Sequence, residues 1–569
     1  MNKYLILIFL LVSGVLSAEL NQKAILLKQV NRYENSRQYD RANKLLIQLM
    51  TSESNDSEVI SRLINNYLLM KKTEDAEHVL NAKKDVLSDI EFIKLSISVL
   101  LRKGEAEQAY SLSEDFIGEN NGKIHYAKIL ASAFEQYGHF EQSVILYEKA
   151  VTSSKDKYLF SVELARNYQR VNKFDEAIRK YFVHLEKNPA YKNSHFNQIK
   201  IMLKEDETLI QTVKKYTEKS TNKDFKEIYA LSLAEIGDLD SALEIYKTLD
   251  LNKLFTFALN QHSYGKNEIA SRAFLEFAQL TKEPNRKADA EFESAKIKFK
   301  MNELEECKIL LNNIYNNKGI QDKKYKYKSR TNRYCRELLG KIALMQNEPE
   351  DVVLGYYREA KTFALNSKEQ KEIDFEIINY MIMSERFDES RQMLARILKD
   401  EDTSSSVYHL GYYYSFLSAT MQNDAAADSL LGELMISLPG SPLTNDALFL
   451  NFLASEQEDE IKESFLQAFR KKKLFKNAEA VTLLEGKESE SLKILAGEWA
   501  LEINDLAKAK EIFSAEFTME PFADYSALKL TQINDSYNEA AEFLSENPGS
   551  VFSPEFRKLM QQTKENKDE

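Results

Sequence analysis

The chain has 569 residues, of which 43% are hydrophobic, and it carries a formal net charge of −12 at pH 7. A single compact core stops growing at roughly 250–300 residues, so the length predicts several domains or a repeat array. The acidic balance argues against nucleic acid as the main partner, because neutralising phosphates requires a positive surface.

The first predicted element, residues 1–18, has the pattern of a secretory signal peptide. Lys3 supplies a short positive start, residues 4–12 are apolar, and the small residues Ser17 and Ala18 follow. The apolar run is too short to span a membrane comfortably, and no cysteine follows it, so a lipoprotein signal is absent. We expect a periplasmic or secreted protein that begins near Ala18 or Glu19 and has no later membrane span. An uncleaved N-terminal anchor is the alternative, and peripheral association with the envelope stays open.

Residues 19–255 contain a pattern that recurs at a nearly constant spacing. A small residue is followed four positions later by a large apolar one, as in Ala177 and Tyr181. The small residues lie at 42, 76, 109, 143 and 177, in steps of 34, 33, 34 and 34, and another lies at 242. A degenerate unit near Ile210 falls between the last two. Because only 16 Gly and 8 Pro serve the whole chain, helices joined by tight polar turns are favoured.

This period and its residues resemble the tetratricopeptide (TPR) family, in which each repeat is an antiparallel pair of helices, A and B. The family's helix A carries a small residue near its eighth position and a large one at its eleventh, which Ala131/Phe134, Ala165/Tyr168 and Ala230/Leu233 match. Gly104, Gly138 and Gly237 fall at the turns, whereas the family's tryptophan is missing from every repeat. The resemblance implies an all-α fold, an α-solenoid of stacked antiparallel helix pairs in a right-handed superhelix, with about 13–15 pairs.

Beyond residue 255 the pattern continues with longer and less regular repeats. The candidate small positions there are Ala270, Cys307, Val352, Ser390, Ala427, Ala478, Ala509 and Ala540. The link Leu438–Pro442 is similar to the inter-repeat link of exported bacterial TPR proteins, such as the β-barrel assembly lipoprotein and the Tol–Pal cell-division coordinator. We therefore predict a regular array over 19–255, a divergent array over 256–445 and C-terminal TPR-like repeats over 446–569.

Catalytic motifs with their proper spacing are missing from the sequence, including those of nucleotide-binding loops, zinc proteases and serine hydrolases. The seven histidines are scattered, and each is expected to be an ordinary surface or interface residue. Cys307 is expected to be a buried small residue, without a disulfide to Cys335. We predict no enzyme, no cofactor and no metal; an enzyme whose residues converge from distant repeats is the alternative.

The TPR resemblance implies that the A helices line an inner groove that binds protein or peptide partners. The positions that match the family's ligand-contacting places are Asn31, Asn65, Arg166, Gln169, Arg170, Tyr412 and Phe416. Residues 408–416 carry more large groups than one buried stripe accommodates, so we expect some of these rings at the groove, with core packing as the alternative. The family's clamp for C-terminal carboxylates is not expected, because Glu91 and Leu95 do not suit it.

Two basic stretches, 323–334 and 469–477, stand out against the acidic background. They either bind phosphate-bearing lipid or an acidic partner, or they are solvated extensions, which we favour. The sequence thus predicts a non-catalytic protein-interaction scaffold or adaptor of the bacterial cell envelope. The alternative is an accessory scaffold for polysaccharide export, with rings such as Tyr412 and Phe416 stacked on sugars, or for outer-membrane protein assembly.

Overall fold

The computed structural model describes residues 23–52, 56–120, 123–218, 220–320, 326–399 and 401–568. These residues form 32 α-helices and four short 3-10 helices, and none of them forms a β-strand. No helix among them is long and apolar enough to cross a membrane. The predicted signal peptide, residues 1–18, lies outside the described residues. The all-α prediction is confirmed.

The chain divides into two compact units, and unit 1 ends at Asp250. Its described residues form seven consecutive A and B helix pairs. The helices are α1 (23–35), α2 (Tyr39–Ser52), α3 (Ser57–Leu69), α4 (Thr73–Ala82), α5 (Asp89–Lys103), α6 (Ala106–Glu119), α7 (Ile124–Gln136), α8 (Phe140–Ser154), α9 (Ser161–Arg170), α10 (Phe174–Lys187), α11 (Lys192–Glu205), α12 (Ile210–Glu218), α13 (Lys223–Glu235) and α14 (Leu239–Lys247). The degenerate repeat predicted near Ile210 is the pair α11 and α12.

Unit 2 begins at Leu251 and contains eight further pairs in its described residues, with α25 and α32 outside the pairing. The helices are α15 (Leu251–Ser263), α16 (Asn267–Leu280), α17 (Pro284–Lys300), α18 (Leu304–Tyr315), α19 (Lys326–Met345), α20 (Glu350–Thr362), α21 (Ser367–Met383), α22 (Phe387–Leu398), α23 (Ser406–Met421), α24 (Ala426–Ser437), α25 (Pro442–Ser455), α26 (Asp459–Lys473), α27 (Asn477–Leu484), α28 (Glu490–Glu502), α29 (Leu506–Phe513), α30 (Glu520–Asn534), α31 (Tyr537–Glu546) and α32 (Ser553–Asp568).

Packing follows chain order within each unit. In unit 1, α3 packs against its pair partner α4 and against α5 of the next pair; in unit 2, α21 packs in the same way against α22 and α23. Each pair therefore buries its apolar surface against its neighbours in sequence, which is the arrangement of an α-solenoid.

The small residue of the repeat has the same burial and the same place in each B helix that carries it before residue 255. All six small residues predicted before residue 255 are fully buried, and each is the fourth residue of its B helix: Ala42, Ala76, Ala109, Ser143, Ala177 and Ala242. A larger side chain at this position would push helix B away from helix A. The predicted period is therefore also the period of the helix packing.

Two small positions predicted beyond residue 255 were wrong. Val352 is only half-buried, and the fourth residue of α20 is the fully buried Val353. Ala478 is exposed, and the fourth residue of α27 is the fully buried Ala480. The turn before α27 has Phe475 in the left-handed region (φ 60°), where a glycine would have marked the start of the helix in the sequence.

The two cysteines are free thiols buried in the core that α17, α18 and α19 share. The Cys335 thiol donates a hydrogen bond to the carbonyl oxygen of Leu311 at 3.2 Å. Burial raises the pKa of both thiols to about 12, so neither is a thiolate at neutral pH. The prediction that Cys307 is a buried small residue is confirmed.

Candidate functional site

A polar cleft of about 840 Å³ opens in unit 1 beside α9. Its walls come mainly from α9, α10 and α11, and they bring together three of the seven predicted site residues: Arg166, Gln169 and Arg170. These three are spaced i, i+3 and i+4 and share one face of α9. The opposite face carries Leu164 and Tyr168, which are buried in the core.

Arg166 is one of two exposed cations in this cleft, and Arg170 is the other. The Arg166 guanidinium makes no hydrogen bond or ion pair with any residue that the structure describes. The nearby carboxylate of Glu163 is bonded to the ammonium of Lys128, with Nζ and Oε1 2.7 Å apart. Burial raises the pKa of Glu163, but Lys128 and Arg166 lower it below its ordinary value overall. The donors of Arg166 are therefore available to an acceptor that enters the cleft.

The other two predicted residues are held in place by aromatic rings. The guanidinium carbon of Arg170 lies 6.0 Å from the ring centre of Phe140, and the amide oxygen of Gln169 accepts a 3.4 Å hydrogen bond from the Tyr181 hydroxyl. Neither contact uses the Arg170 donors or the amide N–H groups of Gln169. The face thus offers cationic and amide donors to the cleft.

A pair of hydrogen-bonded histidines, which the sequence analysis missed, forms another part of the cleft wall. Nδ1 of His184, on α10, lies 2.8 Å from Nε2 of His195, on α11, and Nε2 of His184 lies 3.2 Å from the amide nitrogen of Asn188. Because that amide nitrogen only donates, His184 accepts it at Nε2 and donates its Nδ1–H to His195. The two histidines are 11 residues apart, and the turn that contains Pro189 joins their helices. A search for histidines one helical turn apart does not find them.

Burial decides the charge of this pair. His195 is 3% exposed; burial, with the positive charges of His184 and Arg166 nearby, lowers its pKa to about 4. Burial also lowers the pKa of His184, although the carboxylate of Glu163 opposes it. Both rings are therefore neutral at pH 7. No group of three or more His, Cys, Asp or Glu within the described residues is arranged to hold a metal ion.

Two predicted residues lie elsewhere in unit 1. Asn31, on α1, is exposed and accepts a hydrogen bond from Arg62, which also pairs with Glu34 at 2.5 Å. Asn65, on α3, is half-buried. Neither belongs to the lining of the cleft.

In unit 2 the expectation that Phe416 reaches a groove was wrong. Phe416 is fully buried, and Tyr412 is half-buried against the same core, with its ring centre 4.9 Å from that of Tyr408. The reason is that α23 packs against α21, α22, α24 and the additional helix α25. Four neighbours bury several faces of α23, whereas the prediction assumed one buried stripe.

The described cations of the basic stretches are largely neutralised within unit 2. Arg470 is 6% exposed and pairs with Glu385 at 2.9 Å, while Lys471 pairs with Glu479 at 2.7 Å. Arg333 is 5% exposed and binds Glu337, Glu369 and Glu372 at distances of 2.5–3.2 Å. Residues 323–325 of the first stretch lie outside the described residues. These arginines thus act as internal ion-pair partners.

No family model matches the chain, and no curated protein matches it. Among solved structures, a chain of the "Structure of Naa15/Naa10 bound to HypK-THB" aligns with 95% of this chain and 79% of its own length. The two are 12% identical, with a TM-score of 0.22. A likeness at this level carries no argument, so the assignment to the α-solenoid class depends on the helix pairs themselves.

Proposed function

We propose that the protein is a non-catalytic binding scaffold of the bacterial cell envelope that takes polypeptide segments in the cleft of unit 1. One observation carries this proposal: Arg166, exposed and unpartnered within the described residues, stands beside Gln169 and Arg170 on one helix face over an open cleft. An extended peptide presents carbonyl oxygens and acidic side chains, which are the acceptors that these donors require.

The volume and polarity of the cleft agree with a short peptide segment as the ligand. A cleft of about 840 Å³ lies within the size range of ordinary ligand sites. Its wall combines the neutral His184–His195 pair and the ring of Tyr191 with polar groups such as Ser194 and Gln198. Hydrogen-bonding groups set among rings suit a peptide backbone with alternating side chains.

Export belongs to the same proposal and is supported by the signal-peptide pattern of residues 1–18 and by the link Leu438–Pro442. An adaptor that organises envelope proteins is the form we favour. The polysaccharide-export alternative has lost part of its basis, because Phe416, one of the two rings named for stacking on sugars, is fully buried.

Binding to an array of peptides from envelope proteins tests the proposal. The double variant Arg166→Ala/Arg170→Ala removes both cations, and we expect affinity for the captured peptides to fall roughly tenfold or more. Arg396→Ala, which removes an exposed cation from unit 2, is the control and should bind like the wild type. Equal binding by the double variant, with an unchanged circular dichroism spectrum, would refute the assignment of the cleft.

A further inference from the structure

Helix α25 of unit 2 has an apolar face that remains in solvent. Leu448, Phe449 and Phe452 are 37%, 59% and 54% exposed. At 100° per residue they occupy an arc of about 100° on the helix, so they form one continuous stripe. We call these three residues the α25 stripe.

The side of α25 opposite the stripe is already buried. Ala447, Leu450, Leu453 and Ala454 pack in the core, where α25 contacts α23, α24 and α26. The helix is therefore apolar on nearly all sides, a composition normally found when every side is covered. Met435 and Ile436, in the last turn of the neighbouring α24, are also exposed, at 48% and 80%. An apolar face of this kind usually marks an interaction surface.

The charge around the stripe identifies what can cover it. Residues 401–461 contain ten acidic residues and no Lys or Arg. Glu433, Asp446 and Glu456 have no ion-pair partner among the described residues, and Asp446 and Glu456 are exposed on α25 or at its end. The next run of cations along the chain, at the end of α26, is engaged elsewhere: Lys471 pairs with Glu479, and Lys472 with Glu502.

We propose that the α25 stripe is a docking surface for a cationic amphipathic helix of a protein partner. The apolar side of such a helix would cover Phe449 and Phe452, and its flanking Lys or Arg residues would pair with Glu433, Asp446 and Glu456. A second copy of the chain is a poor occupant, because a two-fold contact brings the same acidic flanks together. An anionic membrane is repelled by the same carboxylates. This surface lies in unit 2 and does not depend on the cleft of unit 1.

Two synthetic helical peptides and the full-length chain test the proposal by fluorescence anisotropy. One peptide has a leucine face flanked by lysines, and the other has the same leucines flanked by glutamates. We expect the lysine peptide to bind at least about tenfold more tightly than the glutamate peptide. Added salt should lower the affinity of the chain for the lysine peptide. Equal affinity for the two peptides would overturn the charge argument.

Variants of the chain locate the site. The variant Phe449→Ala/Phe452→Ala should bind the lysine peptide at least about tenfold more weakly than the wild type. The variant Asp446→Asn/Glu456→Gln, which leaves the stripe intact, should bind it severalfold more weakly. The matched control is Ile309→Ala, at an isoleucine of α18 that is 61% exposed, and it should bind like the wild type. If the control loses as much affinity as the phenylalanine variant, or the phenylalanine variant loses none, the proposal fails.

The other occupants have outcomes of their own. Sedimentation of the wild type that shows a dimer, absent from Phe449→Ala/Phe452→Ala, would replace the proposal with self-association. Co-sedimentation with phosphatidylglycerol vesicles that is lost in the same variant would replace it with membrane binding. Under our proposal, the wild-type chain does not dimerise through the stripe and does not co-sediment with the vesicles.

Discussion

Gly497 shows how closely the two helices of one repeat approach each other. It lies on α28, and a Cβ atom added there would come within 2.5 Å of Cζ of Phe513 on α29. Real side chains do not tolerate such a distance, and Phe513 is 1% exposed, so it cannot swing into solvent. Glycine is used here because the partner ring occupies the space of a side chain.

We therefore expect Gly497→Ala to lower the free energy of unfolding by about 1–3 kcal/mol, in spite of alanine's better helix propensity. Gly432→Ala is the matched control, because a Cβ there meets nothing within 4 Å in the middle of α24. That change should be neutral or stabilising by up to about 1 kcal/mol. Urea denaturation of both variants measures the difference, and an unchanged midpoint for Gly497→Ala would show that the helices are farther apart than described.

The buried histidine of the cleft predicts a dependence of stability on pH. The ordinary histidine pKa of 6.5 applies to the unfolded chain, whereas burial lowers the folded pKa of His195 to about 4. Between these values the unfolded chain binds more protons than the folded chain. Acidification through this range therefore favours unfolding, and the stability present at neutral pH is lost as the pH falls.

The variant His195→Gln removes this titration, so its stability should fall less between about pH 6.5 and about pH 4 than that of the wild type. The exposed His78 supplies the control, and His78→Gln should keep the wild-type slope. Denaturant midpoints measured across the range give the comparison. Parallel pH curves for the wild type and His195→Gln would contradict the burial of this ring.

At the scale of the helices, α27 tests the corrected register of the repeat. Ala480 is its fully buried fourth residue, whereas Ala478 is exposed. Ala480→Leu should lower the free energy of unfolding by about 1–3 kcal/mol because it overpacks the helix pair, and Ala478→Leu should change it by less than about 0.5 kcal/mol. Thermal or urea denaturation of the two leucine variants measures the difference. If Ala478→Leu were the more destabilising change, the small position predicted from the sequence, Ala478, would be correct.

The contrast between the two units explains what the sequence reveals at this scale. In unit 1 each helix pair packs mainly against the pairs next to it in sequence. The small buried residue that this packing needs, such as Ala109 or Ala177, therefore recurs at a regular spacing along the chain. In unit 2, the additional helix α25 packs on α23 and buries faces that a simple pair leaves open. A repeat pattern of helix pairs does not predict an additional helix such as α25. The prediction that Phe416 reaches the groove did not allow for the packing of α25 and was therefore wrong.

At the scale of the whole molecule, the fold class could be predicted and the site only in part. The described helices form 15 pairs, within the predicted range, because helix pairing follows from apolar spacing along the chain. The TPR resemblance selected Arg166, Gln169 and Arg170, and the structure brings them together on one face of α9 beside the cleft, whereas their role in binding stays a prediction. The His184–His195 contact could not be predicted, since it depends on how the turn at Pro189 places α10 against α11.

The central claim, that this molecule binds polypeptide through the cleft of unit 1, is most directly tested by site-specific photo-cross-linking in bacterial cells. A p-benzoylphenylalanine at Ser194, an exposed residue of the cleft wall, should yield discrete cross-linked proteins that disappear with Arg166→Ala/Arg170→Ala. The same probe at Ile145, which is exposed on α8 and does not line the cleft, should not yield them. No products from position 194, or the same products from position 145, would contradict the account.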